Sequence, residues 1–565
     1  MTSGHIVPDS RVSLAPRTVA VSCLIVFLML STANVALVRW LDNTNLETSN
    51  GLWKMPDIRS WEKTGHGSLD SGGFLYFPTY GTAARVLPDS WFTYGTPPAS
   101  VTHRKMATLN AVFGALGSTV VFLLACRSTN RLILSAAVAG LHATAGFVLL
   151  NSLNSEDVIP AYTLFVCMTA CIWLFLETGI VPWLAAATFF LGLVAFFHWT
   201  LFPPAAAGLA VASFLASSTR LASLWLPIVA IGATAAWIQF WLSLAHLASA
   251  DAMPVGLLDV LAPSKAALTG WLGFSANKFV YSLVGMGNYW VGARNVYDYV
   301  AFFRVPLNVL ETALSLGALV VAIVVCLWTL VSAQSTRPRR AFAGFGLTVF
   351  FSGELMNLYS QPQDPQFQIQ PMFILFVALL LALEHLARAS RAHRVRAGGV
   401  TLLAIALLVG MHHVSRFAIL RSQDSVRIRA LRDFVVQFPR AQTRIVSHGF
   451  EGWNTWLYVF GFEADRESFT QESIMLASAF TLNYGISAAA AADLMTTRIA
   501  GALDAGYRVY AGTLWTQDEE TFVGWMSTVA ERERASQFYR LLMARFSASN
   551  ARETPYGTFV ELKRR

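Results

Sequence analysis

The chain has 565 residues, of which 55% are hydrophobic and only 13% are charged, and its mean hydropathy is +0.50. Soluble domains carry about 25% charged residues, so this composition excludes an ordinary water-soluble protein and predicts an α-helical polytopic membrane protein. The formal net charge is +8. In a membrane protein the placement of basic residues is more informative than their sum, and we expect no nucleic-acid partner.

Eleven apolar segments have about the length needed to cross a hydrocarbon core of about 30 Å. The first follows a polar N-terminus and lasts about 20 residues, which is too long for the core of a signal peptide and predicts a retained span. The predicted spans are 18–38, 106–126, 132–151, 159–177, 181–198, 201–217, 222–247, 306–333, 341–358, 371–387 and 398–414.

The cysteines all lie in apolar segments, where a small hydrophobic role is the usual one. We therefore expect neither a disulfide framework nor a metal cluster built from them. They are Cys23, Cys126, Cys167, Cys171 and Cys326.

Basic residues fall on one side of this predicted topology, which is the positive-inside pattern. With eleven spans, residues 1–17 are cytoplasmic, residues 18–414 form the transmembrane domain, and residues 415–565 are extracytoplasmic. Two long loops, 41–104 and 248–305, also face outward. The basic residues assigned to the cytoplasmic side are Arg11, Arg17, Arg127, Arg131, Arg220, Arg337, Arg339, Arg340, Arg388, Arg391, Arg394 and Arg396.

The first outward loop, 41–104, is rich in aromatic and acidic residues and is punctuated by glycine. Connectors of this length are usually functional or disordered, and this aromatic content argues against disorder. It is typical of a pocket for a sugar-like or lipid-linked ligand, and a folded cap without chemistry is the equal alternative. The candidates here are Asp57 and Asp70 as catalytic carboxylates, with Trp61 and Tyr76 as binding residues.

The second outward loop, 248–305, is apolar and aromatic but broken by glycine and proline. This pattern predicts one or two amphipathic helices at the membrane interface, where Trp and Tyr are favoured. Lys278 and Arg294 can bind a lipid phosphate there, or they can simply extend to the headgroups.

Polar groups at membrane depth are costly and are therefore functional candidates. Glu156 and Asp157 precede the fourth span, where they can share acid–base work or cap the helix through its free N–H groups. His198 and Trp199 end the fifth span, although a histidine at a helix end is more often structural. Further candidates in the stretch 353–371 are Glu354, Asn357 and Gln361, and an ordinary polar turn is the alternative for the last two.

After about residue 415 charges become frequent and apolar runs shorten. Strands are predicted at 443–450, 507–515 and 554–565, and helices at 430–438, 493–506 and 533–546. This alternation predicts a small α/β domain. Gly506 lies where a glycine commonly ends a helix before a strand.

The layout resembles the GT-C superfamily of membrane glycosyltransferases, in particular its mannosyl- and arabinosyltransferase-like members. The resemblance is carried by four stretches: the first-loop residues around Asp57, Trp61 and TGHGSLDSGGFLYFPTYGTAARVLP, the span opening KMATLNAVFGALGSTVVFLL, LNSEDVIPAY, and QDPQFQIQPMFILF. The family's paired acidic residues soon after the first span are absent, since Asp42 and Asp57 are isolated. The Arg-Tyr often found before the late span is replaced by Gln-Phe.

This resemblance implies transfer of a sugar from a polyprenyl-phosphate donor, with inversion, on the outer side of the cell membrane. The implied partners are the lipid-linked donor, membrane lipids, and a glycan, lipid or protein acceptor. A carboxylate removes the proton of the attacking hydroxyl, with Asp57 as the predicted base and Asp70 next. Lys278, Arg294, Arg85 or His198 can stabilise the leaving phosphate. No metal site is predicted, and a divalent cation at Glu156 and Asp157 is left open as a cofactor.

Other functions fit parts of the pattern. A surface-polysaccharide polymerase or ligase would share the one-sided layout, and a non-catalytic membrane assembly subunit is a further alternative. A multi-pass transporter would place ionic sites near the bilayer midplane, often within repeats. The polar residues here cluster toward one face instead, which favours chemistry at the outer surface.

Overall fold

The computed structural model describes most of the helical region and parts of the C-terminal region. The described residues are 14–41, 58–65, 75–94, 101–217, 225–236, 238–239, 274, 276–290, 296, 299–359, 364–389, 392–435, 443–447, 473–475, 487–511, 515–526, 532–554 and 557–565.

Long apolar helices dominate residues 14–435, as the hydropathy pattern predicts. In chain order the helices are α1 (Pro16–Leu41), α2 (58–64), α3 (Tyr76–Val86), α4 (Val101–Thr129), α5 (Leu132–Thr144), α6 (Gly146–Ser152), α7 (Val158–Thr178), α8 (Val181–Phe197), α9 (Phe202–Ala216), α10 (Trp225–Ala236), α11 (Ala276–Asn288), α12 (Tyr299–Phe303), α13 (Pro306–Val331), α14 (Arg337–Tyr359), α15 (Pro365–Gln368), α16 (Ile374–Ala389) and α17 (Ala392–Val435).

In the part of the chain that the structure describes, eight helices are long and apolar enough to cross a membrane. The number becomes nine if α5 and α6, which meet at a 67° bend, form one broken span. By helix length, the described residues therefore contain fewer spans than the eleven predicted. The two remaining predicted positions carry the shorter apolar helices α8 and α10.

The first outward loop contributes two helices, α2 and α3, that are fastened to the start of α4. Lys105 of α4 donates to Glu62 of α2 at 2.8 Å and to Asp89, just beyond α3, at 2.6 Å. Its side chain is only 1% exposed, so this ammonium is buried between carboxylates that satisfy it. The ion pairs fix the cap formed by α2 and α3 against the beginning of α4.

Close packing at Gly81 joins the two helices of this cap. A Cβ added at Gly81 of α3 would lie 2.1 Å from Trp61 Cβ of α2. Only glycine lets the two helices approach this closely.

The C-terminal region is α/β, as predicted, and contains a five-stranded sheet in the order β2-β1-β3-β5-β4. β1 pairs in parallel with β2 and β3, whereas β5 pairs antiparallel with β3 and β4. Its elements are β1 (Thr443–Ser447), β2 (Ser473–Met475), α18 (Ala488–Asp504), β3 (Arg508–Ala511), α19 (Glu519–Met526), α20 (Arg532–Arg545), β4 (Phe546–Thr554) and β5 (Gly557–Arg564).

Two details of this region differ from the sequence prediction. Within the predicted helix 430–438, the described residues 430–435 are the end of α17, a single helix of 44 residues that also contains the last predicted span. Strand β4 was assigned no element, because FSASNARET carries little of the β-branched or aromatic character typical of strands. Gly506 has φ +84 after the end of α18, as predicted for a helix-ending glycine.

Candidate functional site

The acidic segment Asn154–Asp157 lies between α6 and α7 and is buried. Asn110 of α4 donates through Nδ2 to the carbonyls of Asn154 and Glu156, at 2.6 Å in each case. The hydroxyl of Tyr76, in the first-loop cap, donates to the Ser155 carbonyl at 2.7 Å. The segment is thus held by backbone hydrogen bonds from both the transmembrane core and the cap.

Tyr76 and Tyr80 support this segment from within the protein and are fully buried. The Tyr80 hydroxyl donates to Asn110 Oδ1, which orients the amide that holds the acidic segment. Burial raises the pKa of both phenols well above the ordinary value of 10, and the charge of Glu156 adds to the effect on Tyr76. Both hydroxyls therefore remain neutral donors. Tyr76 was predicted to bind substrate, and its observed contacts are with the acidic segment.

The carboxylates of the segment are nearly inaccessible, with Glu156 2% and Asp157 1% exposed. Asp157 occupies the N-cap position of α7 but makes no side-chain capping hydrogen bond. The helix-cap role that the sequence left open is therefore not what its carboxylate performs. Its Oδ1 instead lies 3.9 Å from Nε2 of His198.

His198 follows the C-terminal end of α8 and links the acidic segment to the next helix. Its Nδ1 lies 2.6 Å from Thr200 Oγ1, and its ring packs edge-on against Phe367 at 6.2 Å between centroids. An imidazole between a carboxylate and a hydroxyl can carry a positive charge or relay a proton, depending on its tautomer.

Asp364, at the N-cap of α15, lies near the acidic segment. Its carboxylate accepts from the backbone N–H of Gln366 at 3.0 Å and from Gln366 Nε2 at 3.1 Å. Burial of the carboxyl group, with a smaller effect from the charge of Glu156, raises the pKa of Asp364 to about 7. Sequence analysis noted this residue only as part of a polar stretch. Its proximity to Glu156, more than two hundred positions earlier in the chain, is a tertiary contact without a local signal.

Glu354 of α14 faces protein and not lipid, because it is 7% exposed and surrounded by donors. It accepts from Ser282 Oγ at 2.7 Å, from Gln368 Nε2 at 3.3 Å and from Asn357 Nδ2 at 3.5 Å. Asn357 also donates to the Phe367 carbonyl at 3.0 Å. These bonds tie the C-terminal end of α14 to α11 and to the turn that carries Asp364.

Lys278 is one turn before Ser282 on α11, so the two side chains share a helix face. Its ammonium donates to the Tyr359 carbonyl at 3.1 Å. Burial lowers the pKa of Lys278 to about 8. A cation in such a partly desolvated setting interacts strongly with an incoming anion.

A pocket of about 200 Å³ opens between the beginning of α9, α14 and the segment that runs from α15 toward α16. Its walls combine apolar surface with a few polar groups, which is typical of a ligand site. The pocket residues that matter here are Trp199, Asn357, Tyr359, Phe367 and Gln370. The charged cluster, as we call it, consists of Glu156, Asp157, His198, Lys278, Glu354 and Asp364. Asn357 bonds Glu354, the Tyr359 carbonyl accepts from Lys278 and Phe367 packs against His198, so the pocket adjoins this cluster.

The predicted site residues thus divide into groups. Glu156, Asp157 and His198 come together, and so do Lys278, Glu354 and Asn357. Trp199 lines the adjoining pocket, and Trp61 packs against α3. Outside the described residues lie Asp57, Asp70, Arg294 and Gln361. Across the described ranges, no group of three or more His, Cys, Asp and Glu side chains is close enough to hold a metal ion.

No protein-family model and no curated protein matches this chain. A solved structure of ArnT from Cupriavidus metallidurans bound to undecaprenyl phosphate does match, at TM-score 0.50 and 12% identity, over 97% of this chain and 98% of that chain. The apo state of the same protein matches at TM-score 0.41 and 12% identity, over 96% and 98% of the two chains. Arabinofuranosyltransferase AftD from Mycobacteria matches at 0.46 and 12% identity, over 97% of this chain and 40% of that chain.

The match to the lipid-bound ArnT structure, which spans nearly the whole of both chains, shows that this chain shares the fold of that protein, in agreement with the GT-C-like fold class predicted from the sequence. The predicted fold class, an α-helical membrane protein with a C-terminal α/β domain, is confirmed at that level.

Proposed function

From the GT-C fold and the cluster described above, we propose that this protein is a membrane glycosyltransferase. It would transfer a sugar from a polyprenyl-phosphate donor to an acceptor hydroxyl at the outer face of the membrane. The observation that carries the proposal is the convergence of acidic residues, an imidazole and a buried ammonium beside one pocket. This convergence supplies both a base and an anion-stabilising group.

In the proposed reaction the acceptor oxygen attacks the anomeric carbon and forms the new glycosidic bond. The bond between that carbon and the donor phosphate breaks, and the polyprenyl phosphate leaves with the electron pair. A carboxylate takes the acceptor proton, and Lys278 is the described cation best placed to stabilise the phosphate. Asp57 remains the predicted base. Among the residues that the structure describes, Asp157, with His198 beside it, is the alternative base.

The amides around Glu354 suit a hydroxyl-rich substrate. Asn357 and Gln370 line the pocket, and Asn357 also bonds Glu354. Amides both donate and accept hydrogen bonds, so they can recognise sugar hydroxyls in either sense. The donor sugar and the chemical class of the acceptor are open within this proposal.

The test is donor turnover by the full-length protein in lipid nanodiscs. A panel of synthetic polyprenyl-phosphate sugars is supplied with membrane extract as acceptor, and release of polyprenyl phosphate is followed by mass spectrometry. We expect release with at least one donor, lowered about tenfold to hundredfold by Glu354→Gln or Lys278→Met. The matched control is Lys563→Met, in the C-terminal sheet. Release by none of the donors, or equal release by all four proteins, would contradict the proposal.

A further inference from the structure

A second groove has walls formed mainly by two of the long apolar helices, α13 and α16. It has a volume of about 280 Å³ and lies between α13 and α16, with Leu141 of α5 also in its wall. Apart from Tyr289 and Trp290, which follow α11, its lining is aliphatic, small or phenyl: Gly317, Val321, Leu375, Phe376 and Leu379 are examples. A groove with this chemistry accepts a hydrocarbon chain.

At Trp290 the lining of the groove changes from apolar to polar. The Trp290 carbonyl accepts from the Gly146 N–H at 3.0 Å and from His413 Nε2 at 2.8 Å, so this residue is fixed between α6 and α17. Its indole N–H is buried and, among the described residues, has no hydrogen-bond partner. A buried donor in this state is unfavourable unless a ligand supplies an acceptor.

Two hydroxyl groups on α13 are also buried polar groups without a hydrogen-bond partner among the described residues. Ser315 is fully buried and Thr312 is 6% exposed, and neither hydroxyl oxygen has a hydrogen-bond partner within the part of the chain described here. Ser315 lies three residues before the groove residue Ala318 and therefore on the same face of α13. The upper end of an otherwise apolar groove is therefore bordered by donors that ester oxygens can satisfy.

Basic side chains lie beyond these donors, one step farther out. His412 Nε2 of α17 lies 3.1 Å from Glu311 Oε1 of α13, which bridges the two helices. Arg416 follows His412 by four residues and so lies on the same face of α17, nearer the predicted outer surface. Basic groups between transmembrane helices, at headgroup level, are suited to anionic lipid headgroups.

We propose that this groove binds a glycerophospholipid of the surrounding bilayer. One acyl chain would lie between α13 and α16, the glycerol ester oxygens would accept from Trp290 and the α13 hydroxyls, and the phosphate would face Arg416 and His412. The order of apolar, donor and cationic surface along the groove matches the order of groups in such a lipid. The site is distinct from the charged cluster and does not depend on the proposed transferase activity.

The test is lipid retention measured by native mass spectrometry on the full-length protein, released from nanodiscs of phosphatidylglycerol and phosphatidylcholine in equal amounts. Gly317→Leu fills the groove, because a Cβ there meets nothing within 4 Å and the change suits a helix. Gly398→Leu is the matched control, since its Cβ is equally unobstructed and it does not line the groove. We expect Gly317→Leu to lose retained phosphatidylglycerol by about tenfold and Gly398→Leu to behave like the parent.

Two further variants separate the parts of the proposal. Arg416→Gln should weaken the preference for phosphatidylglycerol over phosphatidylcholine, and Trp290→Phe should lower retention of ester lipids more than of ether-linked analogues. Equal retention by the parent and Gly317→Leu would overturn the site. Displacement of phosphatidylglycerol by equimolar undecaprenyl phosphate would assign the groove to the polyprenyl lipid and overturn the choice of occupant.

Discussion

Asp157 and Asp364 are two carboxylates of the charged cluster that differ in their hydrogen bonds. Asp157 has the position of a helix cap without the corresponding hydrogen bond, and its oxygen faces His198 instead. Asp364 does cap its short helix and is held by Gln366. The Asp157 carboxylate therefore faces an imidazole, whereas the Asp364 carboxylate is held by its own turn.

For Asp157, the substitution Asp157→Asn should lower transfer by about a hundredfold, which is a typical contribution of one acid–base group. Because asparagine keeps the size and shape of the aspartate side chain, the melting temperature should change little. Polyprenyl-phosphate release and thermal unfolding of the same preparation are the measurements. A loss of folded protein equal to the loss of activity would instead support a structural role.

For Asp364, stability should depend on pH. Its pKa is about 7 in the folded protein and near 3.8 when unfolded, so the folded state binds the extra proton between these values. Its contribution therefore disfavours folding increasingly as pH rises from about 4 to 7 and is constant above that. We expect Asp364→Asn to gain stability relative to the parent over this interval. A stability difference between the two proteins that does not change with pH would contradict the assignment.

For individual residues, the sequence predicts which carboxylates are unusual but not which residues surround them. Glu156, Asp157 and Glu354 could be selected because carboxylates are rare near apolar segments. Asn110 and Ser282 could not, since their importance comes from contacts with residues more than forty positions away. Tyr76 was selected as a binding residue, but its hydrogen bond to the Ser155 carbonyl is also a long-range contact without a local signal. The shift at Asp364 depends on the same kind of long-range proximity.

Among the elements, the pair α2 and α3 has the largest effect on the candidate site. Tyr76 of α3 covers the acidic segment, and the contact between Gly81 and Trp61 joins α3 to α2. Sequence analysis expected a folded first loop from its aromatic content, and helices are present in its described parts. Its docking on α4 through Lys105 could not be predicted, because a lone basic residue at a span's end usually only extends toward headgroups.

Gly81→Ala should therefore disturb the site without touching a charged residue. The added methyl group would lie 2.1 Å from Trp61 Cβ, so α2 and α3 must separate. We expect transfer to fall and proteolysis in the loop 41–104 to become faster. Thr82→Ala, at the exposed neighbouring position, is the control. Unchanged proteolysis in Gly81→Ala would show that the contact is not tight in solution.

Element boundaries were predicted well where a break had a chemical cause. His198-Trp199 and Pro203-Pro204 divide 180–217 into α8 and α9, as expected. The continuity of α17 was missed, because polar residues after 414 were taken as the end of the helix. At about 1.5 Å per residue, its 44 residues span about 66 Å, roughly twice the hydrocarbon core.

For the whole molecule, the fold agrees with the sequence prediction, while the orientation in the membrane remains a prediction. Fusions at Gly51, Lys278 and Arg545 should report an outer location, and fusions at Thr129, Ser335 and His393 a cytoplasmic one. The physical reason is the confinement of short-loop basic residues to one side. A cytoplasmic report at Lys278 would place the charged cluster on the other face and invalidate the proposed outer site.

The position of a bound polyprenyl phosphate tests the central proposal most directly. A cryo-EM map of the full-length protein in nanodiscs with undecaprenyl phosphate should show the phosphate within about 4 Å of Lys278 Nζ, on the side of the pocket lined by Trp199 and Asn357. The acidic cluster should face the same space. A phosphate located in the groove between α13 and α16, or at the opposite ends of the spans, would contradict the proposed active site.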